Sequence, residues 1–175
     1  RVPQSFDTSI SQNLFLSPLS LSMALGMTTN GVAGETKSEM LQVLGLGQLT
    51  QPQVNESYLS LIRFLTQIDS RVDLRIANGV WYRTGFEVLP TFVDAVGDYF
   101  DAHVEGLDFA GSEAVDKMNA WVESATDGHI KDMVAAPIPA TVRMYLMNAL
   151  VFKGKWSTQF DAAQTANSSF HNSDD

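Results

Sequence analysis

Cysteine is absent from the 175 residues, which removes disulfides, thiolate nucleophiles and thiolate-bound metals together. Histidine is scarce: His103, His129 and His171 stand far apart, with no HExxH pair or other ligand spacing. No serine sits in a Gly-x-Ser-x-Gly elbow. Gly31-Val32-Ala33-Gly34-Glu35-Thr36-Lys37 has the glycines of a phosphate loop without its Gly-Lys-Ser/Thr ending. No buried strand leads into it, so it reads as a turn between helices. No paired carboxylates stand out, and the chain offers no catalytic constellation and implies no cofactor. It does not read as an enzyme.

Positive charge is also short. Lys and Arg total 11 against 20 Asp and Glu, for a formal net charge of -9. Such a surface repels phosphate backbones and anionic headgroups, which sets nucleic acid and membrane surfaces aside as partners. No apolar run approaches the roughly 20 residues that a membrane-spanning helix needs.

Hydrophobic residues make up 45% of the chain, enough for a packed interior, and their spacing alternates between helical and extended periods. Asn13 to Leu16 reads as a short strand. Ser17 then caps a helix over Pro18 to about Thr28, with proline at its tolerated first position. Apolar residues fall on nearly every face of that helix, which predicts burial all round. Thr36 and Glu39 form a capping box for a second helix that ends at Gly45. A third, from about Gln53 to Ile68, carries Tyr58, Leu61, Ile62, Leu65 and Ile68 on one stripe.

Val72 to Arg83 alternates with period two and predicts a long strand. A helix follows Pro90, then a short strand near His103 to Phe109, then a helix capped by Ser112 and closed by Gly128. Val142 to Phe152 is apolar on both faces, the pattern of a central strand with a neighbour on each edge. Mid-run, Asn148 places an amide where a missing partner costs about 2–7 kcal/mol by transfer estimates, so the position demands one. It reads either as a satisfied core asparagine or as part of a polar cluster between layers, with Ser17 and Ser20 as its natural companions. Asn119 and Trp121, on the helix after Ser112, read either as core or as the edge of a packing face.

Four segments together resemble one family. Asn13-Leu14-Phe15-Leu16-Ser17-Pro18-Leu19-Ser20-Leu21 is similar to the serpin segment running from an inner strand into helix B, and Gly31 to Thr36 to the turn beyond it. Asn119-Ala120-Trp121-Val122, with Thr126, Gly128 and Ile130, resembles the end of serpin helix F. Asn148-Ala149-Leu150-Val151-Phe152-Lys153-Gly154-Lys155-Trp156, then Phe160-Asp161 and Phe170-His171, resembles strand 3 of sheet A leading into the breach. The four occur in the family's order and span almost the whole chain.

The resemblance implies an α+β serpin fold, with a large mixed sheet A, further sheets and a helical layer. Here it would contribute helices B–F and strands 1A, 2A, 3A and 6B. It implies that residues 1–175 are the N-terminal portion of a single domain, incomplete without a C-terminal portion that carries the reactive loop. By the same resemblance Ser17, Ser20 and Asn148 fall in the shutter beneath the opening of sheet A. Lys153, Gly154 and Trp156 fall at the breach, and Asn119 and Trp121 on the helix lying over the sheet. The implied activity is inhibition of serine proteases, with cysteine proteases as a second target class, by a cleaved loop that inserts beside strand 142–152. A non-inhibitory carrier, chaperone or storage protein on the same scaffold is the alternative. The remaining implied partner is the C-terminal portion itself, and the implied location is extracellular. Heparin-type activation is not supported, because Arg63 is the only basic residue between Gln53 and Ile68.

Overall fold

The computed structural model describes residues 16–169. Helix α1 spans Pro18–Thr28, and the Ser17 hydroxyl accepts a hydrogen bond from the Ser20 N–H at 3.3 Å, which supplies one of the free donors of the first turn. Helix α2 spans Gly34–Val43 and has no side-chain cap. The Thr36/Glu39 box expected there is not its start, because the chain already turns at Gly34, whose φ of 60° suits glycine. The box forms instead at α3, Gln51–Gln67, where the Gln53 side chain accepts from the Thr50 N–H at 2.9 Å and its hydroxyl at 3.0 Å.

Strand β1 covers Val72–Arg83, α4 covers Pro90–Phe100, β2 covers Ala102–Leu107, α5 covers Glu113–Ala125 and β3 covers Met144–Gly154. A short 3-10 turn follows at Ala162–Gln164. The strand expected at Asn13 to Leu16 lies, apart from Leu16, outside the described residues, as do Phe170 and His171.

The three strands form one mixed sheet in the order β2-β1-β3. β1 runs parallel to β2, from Asn78 opposite Ala102 to Arg83 opposite Leu107. It runs antiparallel to β3, from Val72 opposite Gly154 to Tyr82 opposite Met144. The central strand among the described residues is therefore β1, not β3. Its alternation stops at Asn78–Trp81, four buried residues in succession, because packing closes over both faces of the sheet there.

β3 is less covered than its composition predicts. Met147 and Ala149 are buried, but Phe152 is 66% exposed. Apolar sequence records a strand's capacity to be covered, and among the described residues nothing covers that end. The all-apolar α1 behaves the same way: Met23, Gly26 and Met27 are buried, whereas Leu21 is 62% exposed.

Two cores sandwich the sheet. Even-numbered strand residues such as Val80 and Leu146 face α1, α3 and α4, joining Met23, Met27, Val54, Tyr58, Phe92, Val96 and Phe100. Odd-numbered residues such as Trp81 and Met147 face α5, joining Phe109, Val115, Met118 and Ile138. Polar ties fix the first core. Tyr58 donates its hydroxyl to the Ser22 carbonyl at 2.9 Å. Asn30 and Asn55 exchange amide hydrogen bonds of 3.1 and 2.9 Å, which clamps the end of α1 to the start of α3 with Asn55 only 5% exposed.

Candidate functional site at the β1–β3 seam

Register places Asn78 directly opposite Asn148, on the face shared with α1 and α4. Asn148 Nδ2 donates to Asn78 Oδ1 at 2.8 Å and lies 3.7 Å from Met23 Sδ. Asn78 Nδ2 in turn donates to the Phe100 carbonyl at 2.7 Å, tying the seam to the end of α4. Asn78 is 2% exposed, so this chain of amides is shielded from water where it starts. Asn148 Oδ1 is also buried, and it has no hydrogen-bond partner among the described residues.

The expected trio is only partly assembled. Ser17 donates its hydroxyl to the Ser20 hydroxyl at 3.0 Å, so the two serines partner each other at the helix cap. The link from Asn148 to α1 runs through Met23 instead, because the cap points the serines at one another. Asn78 is the residue the sequence reading missed. Its signal was present: a lone amide in the middle of an alternating strand, the same anomaly that marks Asn148.

On the other face, the indole of Trp121 meets Trp81 edge-on, centroids 4.7 Å apart, and lies 6.3 Å from His103. Gly79 makes room chiefly for Trp81, whose ring a Cβ there would approach to 2.2 Å, and also for Trp121, at 3.1 Å. Asn119 is tied by polar contacts. Its amide donates to the Val134 carbonyl and accepts from the Val134 N–H, both at 2.9 Å.

Lys153 and Gly154 end β3 opposite Asp73 and Val72. Trp156 is 72% exposed and stacks edge-on against Phe160, centroids 5.6 Å apart, so three candidate residues share one open end of the seam. The hydrogen bond from Arg75 holds the Asp73 carboxyl below its ordinary pKa, with smaller contributions from Lys153 and His129. Asp69 is lowered to about 2, chiefly by the side-chain hydrogen bond from Arg71.

Among the described residues no group of three His, Asp or Glu could hold a metal ion, and no helix is long and apolar enough to cross a membrane. Nor does any described strand pair with the edge of β3 that faces away from β1. That edge presents backbone donors and acceptors, and the Asn148 Oδ1 nearby has no donor among the described residues.

The family model for serpins, described as serine protease inhibitors, matches residues 3–175. The chain belongs to the serpin family, and its α+β architecture is the serpin fold. It is 36% identical to Iripin-4 of Ixodes ricinus over 169 residues, which cover 94% of this chain and 43% of that protein. Among solved structures, cleaved kallistatin complexed with heparin superposes with a TM-score of 0.84 at 25% identity, over 93% of this chain and 48% of that one. Human thyroxine-binding globulin complexed with its ligand gives 0.82 at 27% identity, over 92% and 44%. The chain thus spans less than half the length of the relatives it matches.

Proposed function

We propose that the complete protein inhibits serine proteases, with cysteine proteases as a second target class, by acting as a suicide substrate. What supports this reading is the match of residues 3–175 to the serpin family model, together with the Asn148–Asn78 amide pair that bridges β1 and β3. In this reading residues 1–175 are the N-terminal portion of one domain. A C-terminal portion, as a second chain or a further segment, completes the sheet and carries the reactive loop. The shared coverage of 43% with Iripin-4 supports that division.

The target's nucleophile attacks the loop, the loop's peptide bond breaks, and the new amino terminus leaves while the other part stays bound as an acyl-enzyme. The freed loop then inserts beside β3, with release of stored strain, and carries the protease away before water completes hydrolysis. Asn148, with Ser17 and Ser20 at the head of α1, would serve as the shutter where the sheet parts. Lys153, Gly154 and Trp156 would form the breach where the loop enters. Asn119 and Trp121 would hold the helix that lies over the moving sheet. Secretion follows as the location in which such an inhibitor meets its targets.

The likeness to thyroxine-binding globulin supports a second reading, a non-inhibitory carrier, chaperone or storage protein. Incubating the complete protein with trypsin-, chymotrypsin- and subtilisin-like enzymes and running a denaturing gel separates the two. A covalent band at the summed mass supports inhibition. Clean cleavage of the loop with no such band overturns it.

A further inference from the structure

Asn-Gly occurs twice in the chain, at Asn30-Gly31 and Asn78-Gly79. The pair carries its own chemistry. The glycine nitrogen can attack the asparagine side-chain carbonyl carbon, because glycine has no Cβ to obstruct the approach and its backbone turns freely. A bond forms between that nitrogen and Cγ, the Cγ–Nδ2 bond breaks, and ammonia leaves with the backbone amide proton. Water then opens the cyclic imide at either carbonyl, giving aspartate or isoaspartate.

The two pairs sit in opposite settings. Asn78-Gly79 lies along β1 with β2 on one side and β3 on the other, and Asn78 is 2% exposed with its amide bonded to Phe100 and Asn148. Extended backbone held by two neighbours does not turn its nitrogen onto the side chain, and water is excluded. Asn30-Gly31 lies in the turn that ends α1, with Asn30 half-buried and Gly31 exposed. There the Gly31 N–H donates to the Thr28 carbonyl at 2.9 Å. Asn30 Oδ1 accepts from Asn55 Nδ2 at 2.9 Å and from Gln51 Nε2 at 3.1 Å, and its Nδ2 donates to Asn55 Oδ1 at 3.1 Å. All three of these side-chain bonds reach α3, so the Asn30 amide turns freely only when α3 leaves α1.

We propose that Asn30 is a spontaneous deamidation site that the α1–α3 junction holds in check, and that its conversion prevents the junction from closing as before. In the product a carboxylate oxygen replaces Nδ2 and faces Asn55 Oδ1 and the Gly26 carbonyl, both acceptors. Acceptors already outnumber donors at this point: Gln51 Nε2, with two hydrogens, lies 3.0, 3.1 and 3.0 Å from oxygens of Thr29, Asn30 and Asn55. Half of the reciprocal Asn30–Asn55 pair is lost, and isoaspartate also lengthens the main chain at the turn. This site stands apart from the proposed function.

Incubating the complete protein at mildly alkaline pH, followed by peptide mass spectrometry that separates asparagine, aspartate and isoaspartate, tests the inference. A synthetic peptide of residues 26–36 sets the unrestrained rate, and Asn30 in the wild type is expected to convert more slowly by roughly tenfold or more. Asn55→Ala removes the reciprocal pair and is expected to raise the Asn30 rate roughly 5–30-fold, with Asn78 unconverted in both proteins. Wild-type conversion at the peptide's rate overturns the inference, as does an equal rate in wild type and Asn55→Ala. Conversion of Asn78 in Asn55→Ala would reveal general unfolding, and Gln51→Ala, which keeps the reciprocal pair, then decides. Faster conversion of Asn30 with Asn78 intact supports the inference, and an unchanged Asn30 rate overturns it. Asn30→Asp carries the product and is expected to lower the urea midpoint at unchanged slope, whereas an unmoved midpoint overturns the claim that conversion prevents closure.

Discussion

Asn78→Ala removes a side chain that serves two elements at once. The Phe100 carbonyl loses its 2.7 Å donor, and Asn148 Nδ2 loses its 2.8 Å acceptor. Both losses occur around a residue 2% exposed, where water cannot readily substitute. Each buried group left without a partner costs about 1–3 kcal/mol, so the expected loss is roughly 2–6 kcal/mol. That is a large share of the roughly 5–15 kcal/mol that holds a typical domain together. Asn148→Ala removes only one bond that ends in a buried partner, and about 1–2 kcal/mol is expected. Since the pair is in direct contact, the double variant should cost less than the sum of the two, by about 1 kcal/mol. Urea unfolding of the complete protein, followed by circular dichroism, reads these differences from the midpoint and slope. An Asn78→Ala midpoint equivalent to a loss under about 0.5 kcal/mol, at unchanged slope, would refute the reasoning, because that is the range of an ordinary surface substitution.

Tyr58→Phe removes the hydroxyl that holds the Ser22 carbonyl and should cost about 1 kcal/mol by the same assay. Burial raises the Tyr58 phenol above 10.0, the Ser22 hydrogen bond opposing, so the unfolded chain ionises first. The stability this supplies is full below pH 10 or so and is lost as pH rises through the folded value, and Tyr58→Phe should abolish that alkaline decline. Gly26→Ala should destabilise by about 1–3 kcal/mol despite alanine's better helix propensity, because its Cβ would lie 2.5 Å from the Tyr58 ring. Arg71→Ala should return the Asp69 carboxyl from about 2 toward 3.8 in a carboxyl NMR titration, and an unmoved value would contradict the pairing.

The long elements were legible because their apolar periods are sustained. β1, α4 and α5 fall within a few residues of the spans read from sequence, and β3 starts two residues after the position expected. The misreadings have physical causes. Thr36 and Glu39 satisfy the capping pattern, but glycine's freedom at Gly34 lets the helix begin earlier. β3 is read as having a neighbour on each edge, and its antiparallel pairing with β1 supplies one of the two among the described residues. Asn148 was identifiable from the cost of burying an amide, whereas its partner Asn78 lies 70 residues away and is matched only by sheet register. Asn119 illustrates the reverse case: its helix position was evident, but its bond to Val134 depends on how an irregular segment folds back, which no periodicity encodes.

The clamp between Asn30 and Asn55 has a consequence for how a cell could process this chain. Asn55-Glu56-Ser57 is an acceptor triplet for N-linked sugar, yet both ends of the Asn55 amide are committed inside the junction of α1 and α3. An oligosaccharyl transferase could reach that nitrogen only before α3 docks, and a sugar installed then would hold the two helices apart. Carbohydrate at this position and the closed helical layer are therefore mutually exclusive.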